Sequence, residues 1–304
     1  MDMTDRKNSV CAVIVTYHPE INTLRTNIER CKEQVERVYV FDNGSGIEAL
    51  DAALAAGDDV VIHQAPDNVG LAAGLNQGVA FAKRSGFDFV LLLDQDSLPA
   101  PDMVPSLLAA YAELSKKQRV AAVGATAVDV RNGLAMPFVR IKFPFNQKIY
   151  AADTMSVQCD FLITSGSLVP LSVLDCVGNM DEGLFIDNVD LDWCFRAVAQ
   201  GFSLFGVGSA HMGHAIGDAL SPSHFQKGGA FVHKPIRLYY IMRNRVLLYR
   251  RKTTLQRWIF QDVLRIPFKF LRMVLLHSPR GQYLGCMLKG LRDGILGRYG
   301  PAPK

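Results

Sequence analysis

Over the first ninety-odd residues, short apolar runs alternate with stretches whose apolar positions recur every three or four residues. The runs Val10–Thr16, Val38–Phe41, Val60–His63 and Val90–Leu93 are rich in β-branched residues, as expected of strands buried on both faces. Between them, Leu24–Val35, Ile47–Ala56 and Leu71–Ser85 carry helical spacing. This β-α-β-α-β-α-β alternation predicts an α/β domain, with a mainly parallel, Rossmann-like sheet flanked by helices. In such sheets ligands bind at the C-terminal strand edge, where Thr16, Asp42 and Asp94 all stand.

Further along, the pattern predicts a helix at Pro105–Lys116, a strand at Val120–Val130 and an irregular stretch over 131–156, read as a loop on the acceptor side. A strand at Thr164–Val169, a helix at Leu171–Val177, a helix from the Asp187–Asp192 cluster to Gln200 and a last clear strand at Phe202–Val207 follow. The boundary falls near residue 230, giving a sheet domain over 1–230 and a helical extension over 231–304. Between Arg250 and Leu276 a helical wheel gathers Arg250, Arg257, Arg265, Lys269 and Arg272 on one side. Ile259, Val263, Ile266, Phe270 and Val274 take the opposite side, and Pro267 is expected to kink or break the helix.

Charge separates the two parts. From Lys234 onward there are 16 Lys/Arg and 2 Asp/Glu, about +14, leaving about −10 for the rest of a chain whose net charge is +4. A basic amphipathic helix bearing Trp and Phe suits the membrane interface; the alternative is a helix packed on the domain with its basic side in water. No apolar run approaches the roughly 18 residues of a membrane span. The first residues lack the apolar region of a secretory signal, and the six cysteines are scattered without a Cys-x-x-Cys pair. Both point to a cytoplasmic chain with reduced thiols.

The candidate chemistry is acidic. Asp94-Gln95-Asp96 follows the strand run Phe89–Leu93 directly, so its two carboxylates project to the same side. Paired hard oxygen ligands suit Mg²⁺ or Mn²⁺ carrying a diphosphate. About ninety residues later, Phe185-Ile-Asp-Asn-Val-Asp-Leu-Asp-Trp supplies Asp187, Asp190 and Asp192, as helix caps, as a proton acceptor, or both. Asn68-Val-Gly through Asn76-Gln-Gly78 opens a helix with small residues that allow close approach of a ligand or of a neighbouring strand. It is neither a dinucleotide fingerprint nor a Walker loop. His211 and His214 follow the last strand, and either is a metal ligand or a structural histidine.

In this order, Val13-Ile-Val-Thr-Tyr, Phe41-Asp-Asn-Gly-Ser, the Asn68–Gly78 segment, Leu93-Asp-Gln-Asp-Ser, the 185–193 cluster and His214-Ala-Ile-Gly-Asp resemble family 2 glycosyltransferases of the GT-A fold. The match runs over about residues 10–220. The acidic motifs and Tyr239-Tyr-Ile-Met-Arg-Asn244 look like those of bacterial rhamnosyltransferases of surface-polysaccharide or lipopolysaccharide assembly. The resemblance implies inverting transfer of L-rhamnose from dTDP-L-rhamnose to a glycan or lipid-linked acceptor. Asp42 would bind the pyrimidine, with Thr16 and Tyr17 lining its pocket. Asn68, Gly70, Gly74, Asn76, Asp94 and Gln95 would contact the nucleotide sugar. Asp94, Asp96 and His214 would hold Mg²⁺ or Mn²⁺, while Trp193, Arg243 and Asn244 would face the acceptor. Many relatives carry Glu-Asp where this chain has Asp187-Asn188, so Asp187 is favoured as catalytic base and Asp190 stands second. A UDP-sugar donor (galactofuranose or glucose) and a non-catalytic nucleotide-sugar binding module are the alternatives. The tail implies a peripheral site on the inner face of the bacterial inner membrane. Nucleic acid is ranked last as a partner, and homo-oligomerisation is left open.

Overall fold

The structure, a computed structural model, describes residues 8–47, 50, 54, 57–214, 219–221, 230–232, 234–276 and 279–303. The first half follows β1 (Val10–Thr16), α1 (Ile21–Lys32), β2 (Arg37–Asp42), β3 (Val60–Gln64), α2 (Leu71–Arg84) and β4 (Phe89–Asp94). Strands β3, β2, β1 and β4 lie side by side, all parallel. Helix α1 starts earlier than its apolar spacing predicts because the Glu20 side chain caps it, accepting from the Asn22 and Thr23 amides. Most of the helix expected over Ile47–Ala56 lies outside the described residues, although Leu50 and Leu54 are buried in the core.

The second half is mixed. It runs through β5 (Leu98–Pro99), α3 (Met103–Ser115), β6 (Val120–Asp129), β7 (Phe138–Arg140), β8 (Gln147–Ile149), β9 (Ser156–Cys159), β10 (Ser167–Pro170), α4 (Leu171–Val177), α5 (Val189–Ala199) and β11 (Ser203–His214). Strand β10 inserts antiparallel between β4 and β6, and β11 lies parallel to β6. Among the described residues this completes a nine-stranded sheet. The stretch read as an irregular loop holds the small antiparallel hairpin β7–β8, and β9, which begins at its last residue, pairs with β11. The last strand continues seven residues past its expected end. Its ladder with β6 resumes after a register shift between Val207 and His211, so Gly208-Ser-Ala is absorbed as an irregularity.

Strands β12 (Ala219–Ser221) and β13 (Ala230–Val232) pair apart from the main sheet, and helices α6 (Pro235–Tyr249), α7 (Gln256–Leu276) and α8 (Arg280–Ile295) follow. The extension is packed onto the body: Leu247, Leu248 and Trp258 join the main core, and Leu238 and Met242 of α6 meet Tyr283 and Met287 of α8. Two features of α7 differ in part from expectation. The helix runs unbroken through Pro267, which sits on its exposed side, where the carbonyl it leaves without a partner can be hydrated. The expected apolar side is divided, since Ile259 and Phe270 pack inward whereas Val263 is exposed, and Phe260, Leu264, Phe268 and Leu271, outside that side, are exposed as well.

Candidate active site

Asp94 and Asp96 stand at the C-terminal end of β4, and the two-residue β5 brings a third group to them. Leu98 and Pro99 pair antiparallel with Gly213 and Met212, which lays the end of β11 alongside the acidic turn. His214 Nε2 then lies 3.6 Å from Asp94 Oδ2, and its Nδ1 lies 3.4 Å from Asp96 Oδ1. One ligand atom from each of the three falls within 4.8 Å of the others. His211 is three positions away, faces outward and approaches Asp153 instead. Ala215–Asp218, the rest of that motif, lies outside the described residues.

The turn itself is braced. The Asp94 amide faces the hydroxyls of Ser97 and Ser165 at 3.2 and 3.1 Å, and the Asn27 side chain donates to the Asp94 carbonyl at 3.0 Å. Gln95 accepts from the Tyr17 amide at 2.8 Å, tying the ends of β1 and β4 together. Burial raises the Asp94 carboxyl above its usual range, and the nearby Asp96 adds to this, against the pull of His214 and Arg237. The buried His214 Nδ1 has no hydrogen-bond partner. Two hard carboxylates, an imidazole and an unsatisfied buried nitrogen fit a divalent metal.

The second acidic cluster is organised differently. Phe185, Asp187 and Asn188 all adopt left-handed backbone conformations, so the segment before α5 is tightly coiled and must be held from outside. Helix α6 does this. The fully buried Asn244 places its amide nitrogen 2.8–2.9 Å from the carbonyls of Leu184, Ile186 and Asp187. The fully buried Arg243 donates to Leu184 O at 2.9 Å and also to Gly300 O. Arg237, not anticipated from the sequence, grips Asp187 through both oxygens at 2.6 and 3.3 Å. Asp192 is buried between Arg196 and Arg251, serving structure. Asp190 is left with the Leu191 amide, at 2.7 Å. Burial, and then the neighbouring Asp187 and Asp94, push its carboxyl up to about 6.

Several expected contacts are corrected by burial. Arg243 and Asn244 hold the loop rather than facing an acceptor. Trp193 is likewise internal, its Nε1 donating to Gly178 O at 2.9 Å. Asn76 is spent on the chain itself: its amide bridges Met180 O and Glu182, and its oxygen accepts from the Met180 amide. Gly74 lets α2 close on the sheet, since a Cβ there would lie 2.9 Å from Phe41 and Val15. Gly70, at φ +93°, accommodates Phe185 in the same way, and Asn68 accepts from the Gly70 amide. Asp42 and Thr16 are fully buried partners at 2.9 Å, and Ser45 holds the Asp42 carboxylate through its amide and hydroxyl. A base could reach Asp42 only if Ser45 gave way, whereas Tyr17 is exposed at the same edge.

Solved structures share this architecture. GalNAc-T7 with UDP, GalNAc and Mn²⁺ superposes with a TM-score of 0.61 at 12% identity, covering 96% of this chain and 56% of that one. Staphylococcus aureus TarS 1–349 in complex with UDP-GlcNAc gives 0.59 at 16% identity, over 95% and 81%. In sequence, the dTDP-rhamnosyl transferase RfbF of Shigella flexneri is 29% identical over 298 residues, 96% of this chain and 97% of the relative. The model of glycosyl transferase family 2 matches residues 12–168, more than half the chain, and the protein therefore belongs to that family.

Proposed function

We propose that this glycosyltransferase moves L-rhamnose from dTDP-L-rhamnose, with inversion, to a hydroxyl of a glycan or lipid-linked acceptor. The near full-length similarity to a dTDP-rhamnosyl transferase supports the donor. The Asp94–Asp96–His214 cluster is the observation that carries the reaction class. These three residues would hold Mg²⁺ or Mn²⁺, which neutralises the diphosphate leaving group when bound. Tyr17 lines the nucleotide edge, and Asp42 is the candidate pyrimidine acceptor beneath Ser45.

The second cluster supplies the base that takes the acceptor proton. Asp190 is the better placed of its carboxylates. Burial pushes its carboxyl up to about 6, and a general base is most effective when its pKa lies near the pH at which it works. Both oxygens of Asp187 are engaged by Arg237. Asp187 would then position Arg237 near the donor site, where the guanidinium charge is already felt by Asp94.

The basic extension supports a site of action on the inner face of the bacterial inner membrane, beside a lipid-linked acceptor. Among the described residues no helix is long and apolar enough to cross a membrane.

Hydrolysis across a panel of dTDP- and UDP-sugars with Mg²⁺ or Mn²⁺ tests the donor. dTDP-L-rhamnose should be turned over fastest; preference for a UDP-sugar would replace this reading. A chain that binds nucleotide sugars but turns none over with either metal would be a binding module.

A further inference from the structure

One exposed apolar feature of the described molecule is assembled from two segments more than a hundred residues apart. The turn of the β7–β8 hairpin carries Phe143 and Phe145, the latter 79% exposed. Helix α7 carries Phe260, Leu264 and Phe268 at spacings of four, with Phe268 74% exposed. The two segments are joined: Phe143 packs edge-on against Phe260 with ring centroids 5.3 Å apart, and the Gln261 side chain donates to Lys142 O. One ridge results, and nothing in the described chain covers it. Soluble surfaces rarely leave so many large apolar side chains together without a use.

The charge beside the ridge chooses its occupant. Residues 138–150 contain Arg140, Lys142 and Lys148 and no acid. Along 256–271 the bases are Arg265, Lys269 and Arg257, the last already paired with Asp160, and the lone acid, Asp262, is buried against Arg245 and Tyr249. A second copy packed here would bring like charges together. An anionic lipid leaflet answers both properties, taking the phenylalanines into its interface and the bases onto its headgroups.

We propose that the hairpin turn and the outward stripe of α7 form a single membrane-docking surface for an anionic bilayer. This deepens the membrane-side reading above by naming the surface. It moves the contact away from the inward-packing Ile259 and Phe270, and adds a hairpin far in sequence from the basic extension but packed on it.

Co-sedimentation of the full chain with phosphatidylcholine vesicles, with and without about one-third phosphatidylglycerol, tests it. At low salt the protein should pellet with the anionic vesicles, and high salt should release it in part. Phe145→Ser combined with Phe268→Ser removes two solvent-facing rings and should weaken that binding at least tenfold. Lys142→Glu with Lys148→Glu should do likewise. Donor hydrolysis in solution should be unchanged in both double variants, so a failed donor assay counts against the transfer reading alone. Wild-type protein that hydrolyses donor but stays in the supernatant with anionic vesicles would overturn the proposal. So would equal lipid binding by wild type and both double variants. Light scattering showing a wild-type dimer that Phe145→Ser/Phe268→Ser splits, with no lipid binding, would assign the ridge to self-association and also overturn it.

Discussion

The chain carries two acidic clusters, and their surroundings differ more than their sequences do. At Asp94 and Asp96 the carboxylates are partly exposed, with an imidazole as their near neighbour and Arg237 acting on Asp94 as a more distant charge. Between 187 and 192, arginines already neutralise two of the three carboxylates: Arg237 takes Asp187, and Arg196 and Arg251 take Asp192. A carboxylate pair beside an unsatisfied imidazole nitrogen can accept a cation, whereas a carboxylate closed by a guanidinium has its cation. Asp190 belongs to neither kind. Burial lifts it without a cationic partner, which leaves it free to exchange a proton.

The sharpest break between the clusters should come from Asp96→Ala. Turnover is expected to fall by about a thousandfold or more, since charge stabilisation at the leaving group is lost. Calorimetry should show dTDP affinity becoming insensitive to metal. Wild-type affinity that is equal with metal and with excess chelator would remove the metal role altogether.

Asp190→Asn should cost turnover by about a hundredfold to ten-thousandfold, the range of general acid–base contributions, with donor affinity held within several-fold. In the wild type kcat/KM should rise with pH through about 6 and then level, because the base must be deprotonated. Stability should move the other way. A carboxyl raised above its unfolded value binds its proton more tightly when folded, so stability falls as pH rises from near 4 through about 6. Asp190→Asn should therefore melt higher than wild type above pH 6. Retained turnover in Asp190→Asn with loss in Asp187→Asn would return the role to Asp187.

Asn244→Ala leaves the carbonyls of Leu184, Ile186 and Asp187 without their shared donor. Leu184 O keeps Arg243 as a donor, and a buried carbonyl left unsatisfied costs about 1–3 kcal/mol, so a lower melting temperature is expected. A fall in kcat of about tenfold or more, with little change in donor affinity, would show that the clamp positions the Asp187–Asp190 segment. The smallest effect should follow Trp193→Phe. The lost bond to Gly178 O is worth about 1 kcal/mol, and acceptor KM should stay within about twofold. A large rise in acceptor KM would bring Trp193 back to the acceptor side.

Part of this was legible along the chain. Strands β1, β2, β3 and β4 fall close to their apolar runs, and α4 spans the residues that its pattern predicted. Those signals are local, since a two-face-buried strand and an amphipathic helix write their environment into consecutive residues. The Asp94–Asp96 pair was legible as residues at the end of one strand, although the strand stops at Asp94 and Asp96 sits in the turn that follows.

Everything that depends on a distant partner had to wait for the fold. His214, joined to the acidic pair beforehand only through the family resemblance, reaches it because β5 lies against β11, and two residues of strand carry no readable periodicity. Arg237 takes Asp187, and Arg196 and Arg251 take Asp192, leaving Asp190 without an arginine, while Asn244 and Arg243 became the supports of their loop. Likewise, Ile259 turned inward and Phe260 outward on one apolar helix because only the body decides which side it covers. Consecutive residues were enough to mark the first four strands, their C-terminal edge and the residue types available for chemistry. Tertiary structure decided which carboxylates keep their charge free, because pairing and burial are properties of neighbours in space rather than in sequence.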